Sequence, residues 1–280
     1  MSALLVGGTF AGLLWLERRR PLRRASESKL RRDARNLVVA ATSQVAIRWA
    51  ETPVVLPLAR MVERRRWGLL QRLDLPSWLE VPLAVALMDY TLYLWHILVH
   101  KVPFLWRFHQ VHHVDLDMDA STALRFHFGE MIVSIPWRAA QVALIGVSPR
   151  ALAVWQTATL IEILFHHSDV ALPIAVERWL CRLIVTPRMH GIHHSIVPEE
   201  QNSNWSSGLT LWDWLHGTLR LDIPQEAITI GVPAYRDPAE VTLPKILALP
   251  FGKQRPSWQL PGDGVPMREP LPWPSQQRLA

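Results

Sequence analysis

Hydrophobic residues are gathered into five stretches within the first 165 positions of the chain. These stretches are residues 3–16, 37–58, 81–99, 131–147 and 151–165. A membrane-spanning helix needs roughly 20 apolar residues, with about 17 as a lower limit. The second and third stretches are long enough, the fourth and fifth are near the limit, and the first is shorter. The pattern predicts an all-α protein with four or five membrane-associated helices. The alternative is that the shorter stretches are buried helices of a soluble protein.

The positions of the arginines predict how the helices are oriented in the membrane. Residues 17–35 contain eight arginines and one lysine, which predicts a cytoplasmic loop between the first two helices. A second basic group (Arg64, Arg65, Arg66 and Arg72) follows the next stretch and conflicts with that orientation if both helices span. One of the two helices would then lie in the membrane interface instead.

The formal net charge of +6 also bears on the partners of the protein. Because the basic loop lies beside apolar stretches, anionic lipid headgroups are the expected partner. No zinc finger or aromatic RNA-binding pattern supports nucleic acid. Cys181 is the only cysteine, which excludes an intrachain disulfide and a thiolate metal site.

The histidines carry the candidate chemistry. All twelve lie between residues 96 and 216, and eight of them form three clusters. The clusters are His96 and His100; His109, His112 and His113; and His190, His193 and His194. Spacings of three and four place imidazoles on one face of a helix, and neutral imidazole is a good ligand for iron, zinc and copper. Since one zinc takes about four ligands, eight histidines suit two metal ions held close together.

A shared metal site requires the three clusters to lie on one side of the membrane. The chain must therefore cross an even number of times between His113 and His190. The fourth and fifth stretches provide two crossings, with a turn at residues 146–149. This arrangement brings His166 and His167 to the same side. Beyond them, Thr186 is a plausible N-cap, with Pro187 as the first residue of a helix that carries the third cluster.

Several further side chains are candidates for the site. Asp89 and Tyr93 share one helical stripe with His96 and His100. A carboxylate in an apolar stretch is usually functional, so we expect Asp89 to orient a ligand histidine or a polar network. The alternative is an Asp89–Tyr93 hydrogen bond with no catalytic role.

The remaining histidines are weaker candidates. We expect His167 to be a further ligand and His127 to be a hydrogen-bond partner within the site. His166 would be structural or would pair with Glu162 near the metals, and His216 would be structural. Arg107 and Asp115 flank the second cluster and would pair with groups around it.

Together these motifs resemble the fatty acid hydroxylase superfamily, also called the sterol desaturase family. The resemblance covers roughly residues 80–222 and rests on the eight histidines with their flanking sequences. Those flanks are residues 105–115, 122–130, 165–169, 186–195 and 204–218. Two positions depart from the expected pattern, because Asp169 stands where asparagine is expected and His216 where phenylalanine is expected. Neither departure removes a clustered histidine.

The resemblance implies an integral membrane helical bundle capped by a cytosolic histidine-rich lobe. Members are non-haem di-iron enzymes that hydroxylate or desaturate lipid C–H bonds with O2 and two electrons. Two iron ions would be held by the eight clustered histidines and His167. Residues that would support these ligands are Asp89, Tyr93, Asp115, His127, Glu130, His166, Asn204 and Asp213.

The same resemblance sets the expected domains and partners. The domains are N-terminal membrane helices (1–78), a catalytic domain (79–222) and a proline-rich, partly disordered C-terminal extension (223–280). Electrons would come from a separate donor such as ferredoxin or cytochrome b5 with a reductase, because neither a fused cytochrome b5 domain nor a nucleotide-binding loop is present in the sequence. The substrate would be a sterol, fatty acyl chain, ceramide, alkylglycerol ether or carotenoid, and we favour hydroxylation over desaturation.

Two other interpretations remain open from the sequence. A membrane zinc hydrolase would also use histidines, and its general base would have to be Glu130, Glu162 or Asp115. A metal-binding or metal-transporting membrane protein is the non-enzymatic alternative. Transport sites usually lie within the membrane among charged pathway residues, whereas these histidines gather at one end.

Overall fold

The computed structural model describes residues 2–262 and 264–268. Within these residues the regular structure is helical, and only three isolated bridges join extended segments. The helices are α1 (Ser2–Arg19), α2 (Lys29–Ala46), α3 (Thr52–Arg65), α4 (Ser77–Lys101), α5 (Pro103–His113), α6 (Phe128–Val133), α7 (Ile135–Ile145), α8 (Pro149–His167), α9 (Ile174–Leu180), α10 (Pro187–His193), α11 (Pro198–Gln201), α12 (Leu211–His216) and α13 (Leu243–Ala248). The all-α prediction is confirmed for the described residues.

The long helices pack side by side through an apolar core. Helix α4 contacts α7 and α8, while α3 contacts α7 and α8. The core between them includes Val55, Ala59, Met88, Val142 and Trp155, all nearly inaccessible to solvent. This core positions the ends of α4 and α8, which carry histidines, next to each other.

Two helix boundaries differ from the apolar stretches. The second stretch forms α2 and α3 joined by a π-helical turn, Ile47–Glu51, just before Pro53. The fourth stretch is divided at Ser134 into α6 and α7. Pro136 lies in the first turn of α7, where its missing N–H is tolerated.

The predicted turn between the fourth and fifth stretches is present. Gly146 ends α7 with a φ of 84°, and Ser148 caps α8 by accepting a hydrogen bond from the Ala151 amide. A side chain at Gly146 would also press on the Trp67 carbonyl, so glycine is required there for two reasons.

Among the described residues, α4 is the helix that is long and apolar enough to cross a membrane. Length and composition alone support this, and other helices of the predicted bundle do not meet the same criteria. Helix α1, for example, ends with Glu17, Arg18 and Arg19. The multi-pass bundle and its cytoplasmic orientation therefore stay predictions.

The histidine-bearing helices are covered by the C-terminal extension. Val232, Tyr235, Val241 and Ile246 are buried against Val111 and its neighbours on α5 and the following loop. The described part of the extension therefore belongs to the same packed body as α5. Residues 263 and 269–280 of the predicted partly disordered segment lie outside the described residues, and the domain boundaries stay predictions.

Candidate metal centre

Four helices bring the histidines together. His96 and His100 lie on α4, three histidines on α5, His166 and His167 at the end of α8, and His190 and His193 on α10, with His194 directly after it. Thr186 precedes α10 with an extended backbone and Pro187 is its first residue, as predicted. The Thr186 hydroxyl does not bond to the helix.

Eight of these imidazoles form two groups of four. The first group is His96, His100, His113 and His193, and the second is His112, His167, His190 and His194. Within each group the nitrogen atoms offered as ligands lie within 4.8 Å of one another, and all eight residues are buried. The groups adjoin, because the rings of His113 and His194 stack with their centroids 4.2 Å apart.

The second group has the nitrogen spacing of a metal site. Its Nε2 atoms are 2.9 Å apart between His167 and His112, 3.0 Å between His190 and His167, and 3.1 Å between His194 and His190. Two nitrogens at right angles on a metal, each bonded at about 2.1 Å, would be about 3.0 Å apart. A chain of neutral imidazoles cannot satisfy all these contacts with hydrogen bonds, since each ring carries one N–H.

Burial keeps the ring nitrogens available as ligands. It lowers the pKa of His112, His113, His190 and His194 well below the usual value, and neighbouring imidazoles lower it further. Burial likewise lowers the pKa of His193 to about 3. These imidazoles are neutral at physiological pH, which is the form that binds metals.

Backbone carbonyls orient three of the grouped rings. His96 Nδ1 lies 2.7 Å from the Trp205 carbonyl, and His193 Nδ1 lies 2.9 Å from the Ser203 carbonyl. His167 Nδ1 lies 2.8 Å from the Ile163 carbonyl one turn earlier on α8. With Nδ1 donating, Nε2 of each ring carries the lone pair and faces its group.

The segment that supplies two of these carbonyls is itself held firmly. Asp213 accepts hydrogen bonds from the backbone amides of Trp205 and Ser206 at 2.8 and 2.9 Å. Asn204 has a φ of 53° and donates through Nδ2 to the carbonyls of Met189 and Arg220. Both residues, predicted as supports of the ligands, therefore fix the loop that orients His96 and His193.

His109 and Glu130 form a pair beside the first group. Glu130 Oε1 lies 2.9 Å from His109 Nδ1, while His109 Nε2 is buried without a hydrogen-bond partner. The His109 ring centroid is 4.8 Å from that of His100, although His109 is not in either group of four. Its role as a ligand stays a prediction.

His166 lies at the edge of the second group. Its ring centroid is 4.1 Å from that of His190, and its buried Nδ1 has no hydrogen-bond partner. His127 instead caps α6, because its Nδ1 accepts a hydrogen bond from the Gly129 amide and its Nε2 lies 3.2 Å from the Leu247 carbonyl.

Asp89 and Tyr93 share the predicted stripe with the α4 histidines but contact other residues. Asp89 Oδ2 accepts from the Leu209 amide at 2.9 Å and from Trp212 Nε1 at 2.7 Å. Tyr93 bonds to the Thr218 hydroxyl at 3.0 Å. Both residues attach the 208–218 segment to α4. The structure shows neither a bond from Asp89 to a ligand histidine nor the alternative Asp89–Tyr93 bond.

Asp115 holds the N-terminal helices against the site. Burial alone would raise its pKa, but the guanidinium groups of Arg32 and Arg125 lower it. Arg35 and Asn36 also bond to it. Part of the basic loop therefore forms buried ion pairs within the protein. Arg18, Arg19, Arg20, Arg24 and Arg31 remain exposed.

Aromatic rings close the site against water. Trp205 lies edge-on to His100, with centroids 4.7 Å apart, and Phe126 stacks on His112 at 4.6 Å. Neither residue type nor spacing in the sequence marks Trp205, Ser203 or Gln201 as part of the site, although Trp205 lies within the matching motif region. Gln201 Nε2 lies 3.4 Å from His113 Nδ1.

Fold and site together define an all-helical protein with two adjoining groups of buried histidines that could each hold a metal ion. Residues 81–218 match the family model described as fatty acid hydroxylase. The chain fits the fatty acid hydroxylase superfamily, as the sequence motifs predicted.

Curated relatives are lipid-modifying enzymes. The chain is 31% identical over 158 residues to an ornithine lipid hydroxylase of Rhizobium tropici, a match covering 56% of this chain and 46% of the relative. It is 27% identical over 195 residues to cholesterol 25-hydroxylase of Rattus norvegicus, covering 69% and 60%. It is 28% identical over 131 residues to alkylglycerol monooxygenase of Xenopus tropicalis, covering 47% and 28%. No solved structure matches the chain.

Proposed function

We propose that the protein is a membrane-bound di-iron oxygenase that hydroxylates a C–H bond of a lipid. The observation that carries this proposal is the pair of adjoining four-histidine groups. The names of the relatives, which act on an ornithine lipid, cholesterol and alkylglycerol, support a lipid substrate. The match covers only part of each relative, so the relatives do not identify the lipid. The experiment below therefore tests a panel of lipids.

The histidine groups fit iron. Imidazole suits iron as well as zinc and copper, and His100, His113 and His193 of the first group each have a buried Nε2 without a hydrogen-bond partner. Two iron ions held there would supply the redox chemistry that activates O2. The overall reaction takes the lipid, O2, two electrons and two protons to the alcohol and water. The electrons would come from a separate donor such as ferredoxin or cytochrome b5.

The chain's own residues have three tasks in this reaction. The Ser203 and Trp205 carbonyls, with Glu130, fix the tautomer and direction of their histidines. The buried neutral imidazoles bind metal without adding negative charge. The rings of Trp205, Trp106 and Phe126 exclude water from the histidine groups.

Two of the three carboxylates that could be the general base of a zinc hydrolase are engaged by other groups, whereas Glu162 Oε2 is buried without a hydrogen-bond partner. Glu130 is engaged with His109, and Asp115 lies within a network of arginines. Both carboxylates are therefore committed to positioning other groups. The metal content of the purified protein therefore decides between the hydrolase and the oxygenase.

The test begins with the purified protein in detergent. We expect about two coupled iron ions per chain by elemental analysis and Mössbauer spectroscopy after iron-57 loading. A lipid panel with O2 and a reduced ferredoxin should then yield a hydroxylated product. His193→Ala should abolish the product, while His216→Ala should retain it, because the His216 ring is exposed and lies outside both groups. One zinc per chain with no iron, or full product from His193→Ala, would refute the proposal.

A further inference from the structure

A group of exposed apolar side chains lies on the lobe beside α4. It consists of Val176, Trp179, Leu183, Leu211, Trp214 and Leu215, which we call the α9–α12 patch. Trp179 is 59% exposed and Trp214 is 67% exposed. Large apolar side chains gathered on one surface usually mark an interaction site rather than a solvated surface.

Backbone pairing joins the two segments of chain that carry the patch. The Val185 amide donates to the Gly208 carbonyl at 3.0 Å, and the Thr210 amide donates to the Leu183 carbonyl at 3.1 Å. The segment after α9 therefore runs antiparallel to the segment before α12. The two groups of exposed side chains are therefore carried by directly paired segments.

The patch is attached to the candidate membrane span. Trp212, between the exposed residues of α12, donates to Asp89 in the middle of α4. The Trp212 ring also lies 4.9 Å from that of Tyr90. The patch is therefore held against the middle of α4 through Trp212.

The charges on the patch favour lipid headgroups. Arg178 and Arg182 are exposed beside the apolar residues, whereas the acids of the two helices, Glu177 and Asp213, are buried. Tryptophan is enriched at the boundary between hydrocarbon and headgroups, and arginine is attracted to anionic headgroups. We propose that the α9–α12 patch lies in the membrane interface and binds a bilayer that contains anionic phospholipid.

This proposal places the membrane boundary on α4 near Asp89–Tyr93 rather than at the end of the helix. Trp78, 74% exposed at the other end of α4, would mark the opposite boundary. Tyr93 follows Trp78 by 15 positions, which correspond to about 22 Å at 1.5 Å per residue. A hydrocarbon core is roughly 30 Å thick, so the bilayer would thin locally around the protein.

The histidine groups would then lie just outside the hydrocarbon. His96 and His100 follow Tyr93 by about 5 and 10 Å along α4. The proposal concerns the position of the protein in the membrane. It holds whether or not the histidine site hydroxylates a lipid, and the two can be tested separately.

The experiment measures the depth of single labelled positions in the full chain. Cys181→Ala removes the native thiol, and Trp214→Cys is labelled with bimane in nanodiscs of phosphatidylcholine and phosphatidylglycerol. Glu226→Cys, at an exposed position on a polar loop, is the matched control. A lipid carrying a nitroxide near its headgroup should quench position 214 severalfold more than position 226. Aqueous iodide should show the reverse order.

A second labelled position shows whether a negative result comes from misfolding of one variant. Trp179→Cys on α9 should give the same result as Trp214→Cys. Iodide quenching of both positions at the level of position 226 would overturn the proposal. Protection from both quenchers, with disulfide cross-links between copies at position 214, would overturn it in favour of an interface between two chains.

Discussion

Asp213 should control the affinity of the first histidine group although it does not touch a metal ligand. Its carboxylate accepts two backbone amides, from Trp205 and Ser206, and the Thr218 hydroxyl at 2.7 Å. Asp213→Ala leaves both buried amides without an acceptor. At about 1–3 kcal/mol for each unsatisfied group, the loop loses about 2–6 kcal/mol.

The loss of loop stability should weaken metal binding through two backbone carbonyls. The freed segment contains Ser203 and Trp205, which orient His193 and His96. Loss of an outer hydrogen-bond partner typically costs 10–100-fold in metal affinity, so we expect about that loss for the first group. The second group takes none of its ligand orientation from this segment and should keep its affinity.

The assay is competition with a chelator, with iron per chain measured as chelator increases. Wild type should release iron at high chelator concentration, whereas Asp213→Ala should release about half of its iron early. Asp213→Asn retains one acceptor oxygen and should lie between them. Asp222→Ala removes an exposed carboxylate and should match wild type. If Asp213→Ala lowers the unfolding temperature but releases iron as wild type does, Asp213 stabilises the fold alone and our reasoning about the carbonyls is wrong.

Four further predictions concern groups around the site. Glu130→Gln should weaken iron binding less than Glu130→Ala in chelator competition, because an amide oxygen still accepts the imidazole N–H. His127→Ala should keep both irons and lose about 0.5–2 kcal/mol of stability as a lost helix cap; loss of iron would make it a ligand. Arg32→Ala leaves two buried carboxylates without one of their cations and should lower the free energy of unfolding by about 3–5 kcal/mol. Arg31→Ala, at an exposed position, should lower it by less than about 0.5 kcal/mol in the same thermal unfolding series. Burial would raise the pKa of Asp119, but neighbouring cations lower it to about 2, so its stabilising contribution should be complete above about pH 4 and disappear towards pH 2. Unfolding of the metal-free protein against pH should show this loss in wild type, and Asp119→Asn should remove it.

The sequence predicted the parts of the site that depend on side-chain type and spacing. The stripe on α4 and the clusters on α5 and α10 follow from helical periodicity, and the turn at Gly146 follows from glycine and proline chemistry. The orienting carbonyls of Ser203 and Trp205 could not be predicted, because every residue has a carbonyl and only the loop conformation directs it. The break at Ser134 was visible in principle, since Pro136 interrupts the apolar stretch.

The arginines show a different limit of the sequence. A run of basic residues near apolar stretches predicts a surface that faces lipid headgroups, and several of these arginines are exposed. Arg32 and Arg35 instead pair with Asp115, 83 and 80 positions later. Their partners are acids of a distant loop, and nothing in local composition links them. The matched family segment begins at residue 81, so this buried network joins α2 to the domain that the family model describes.

Metal binding and folding should be coupled in this protein. In the first group, His100, His113 and His193 each bury Nε2 without a hydrogen-bond partner. At about 1–3 kcal/mol each, the cost of burying these three nitrogens without metal is about 3–9 kcal/mol. That range is comparable to the whole stability of a typical domain, about 5–15 kcal/mol. The metal-free lobe must therefore open enough to hydrate part of the site, whereas α3, α4 and α7 pack through an apolar core that contains no ligand nitrogen. Hydrogen exchange should therefore be measured with and without chelator. Removal of metal should lower the protection of backbone amides in α5 and α10, whereas the amides of α3 and α7 should keep theirs. Equal protection with and without chelator would show that the orienting contacts alone hold the histidines in place.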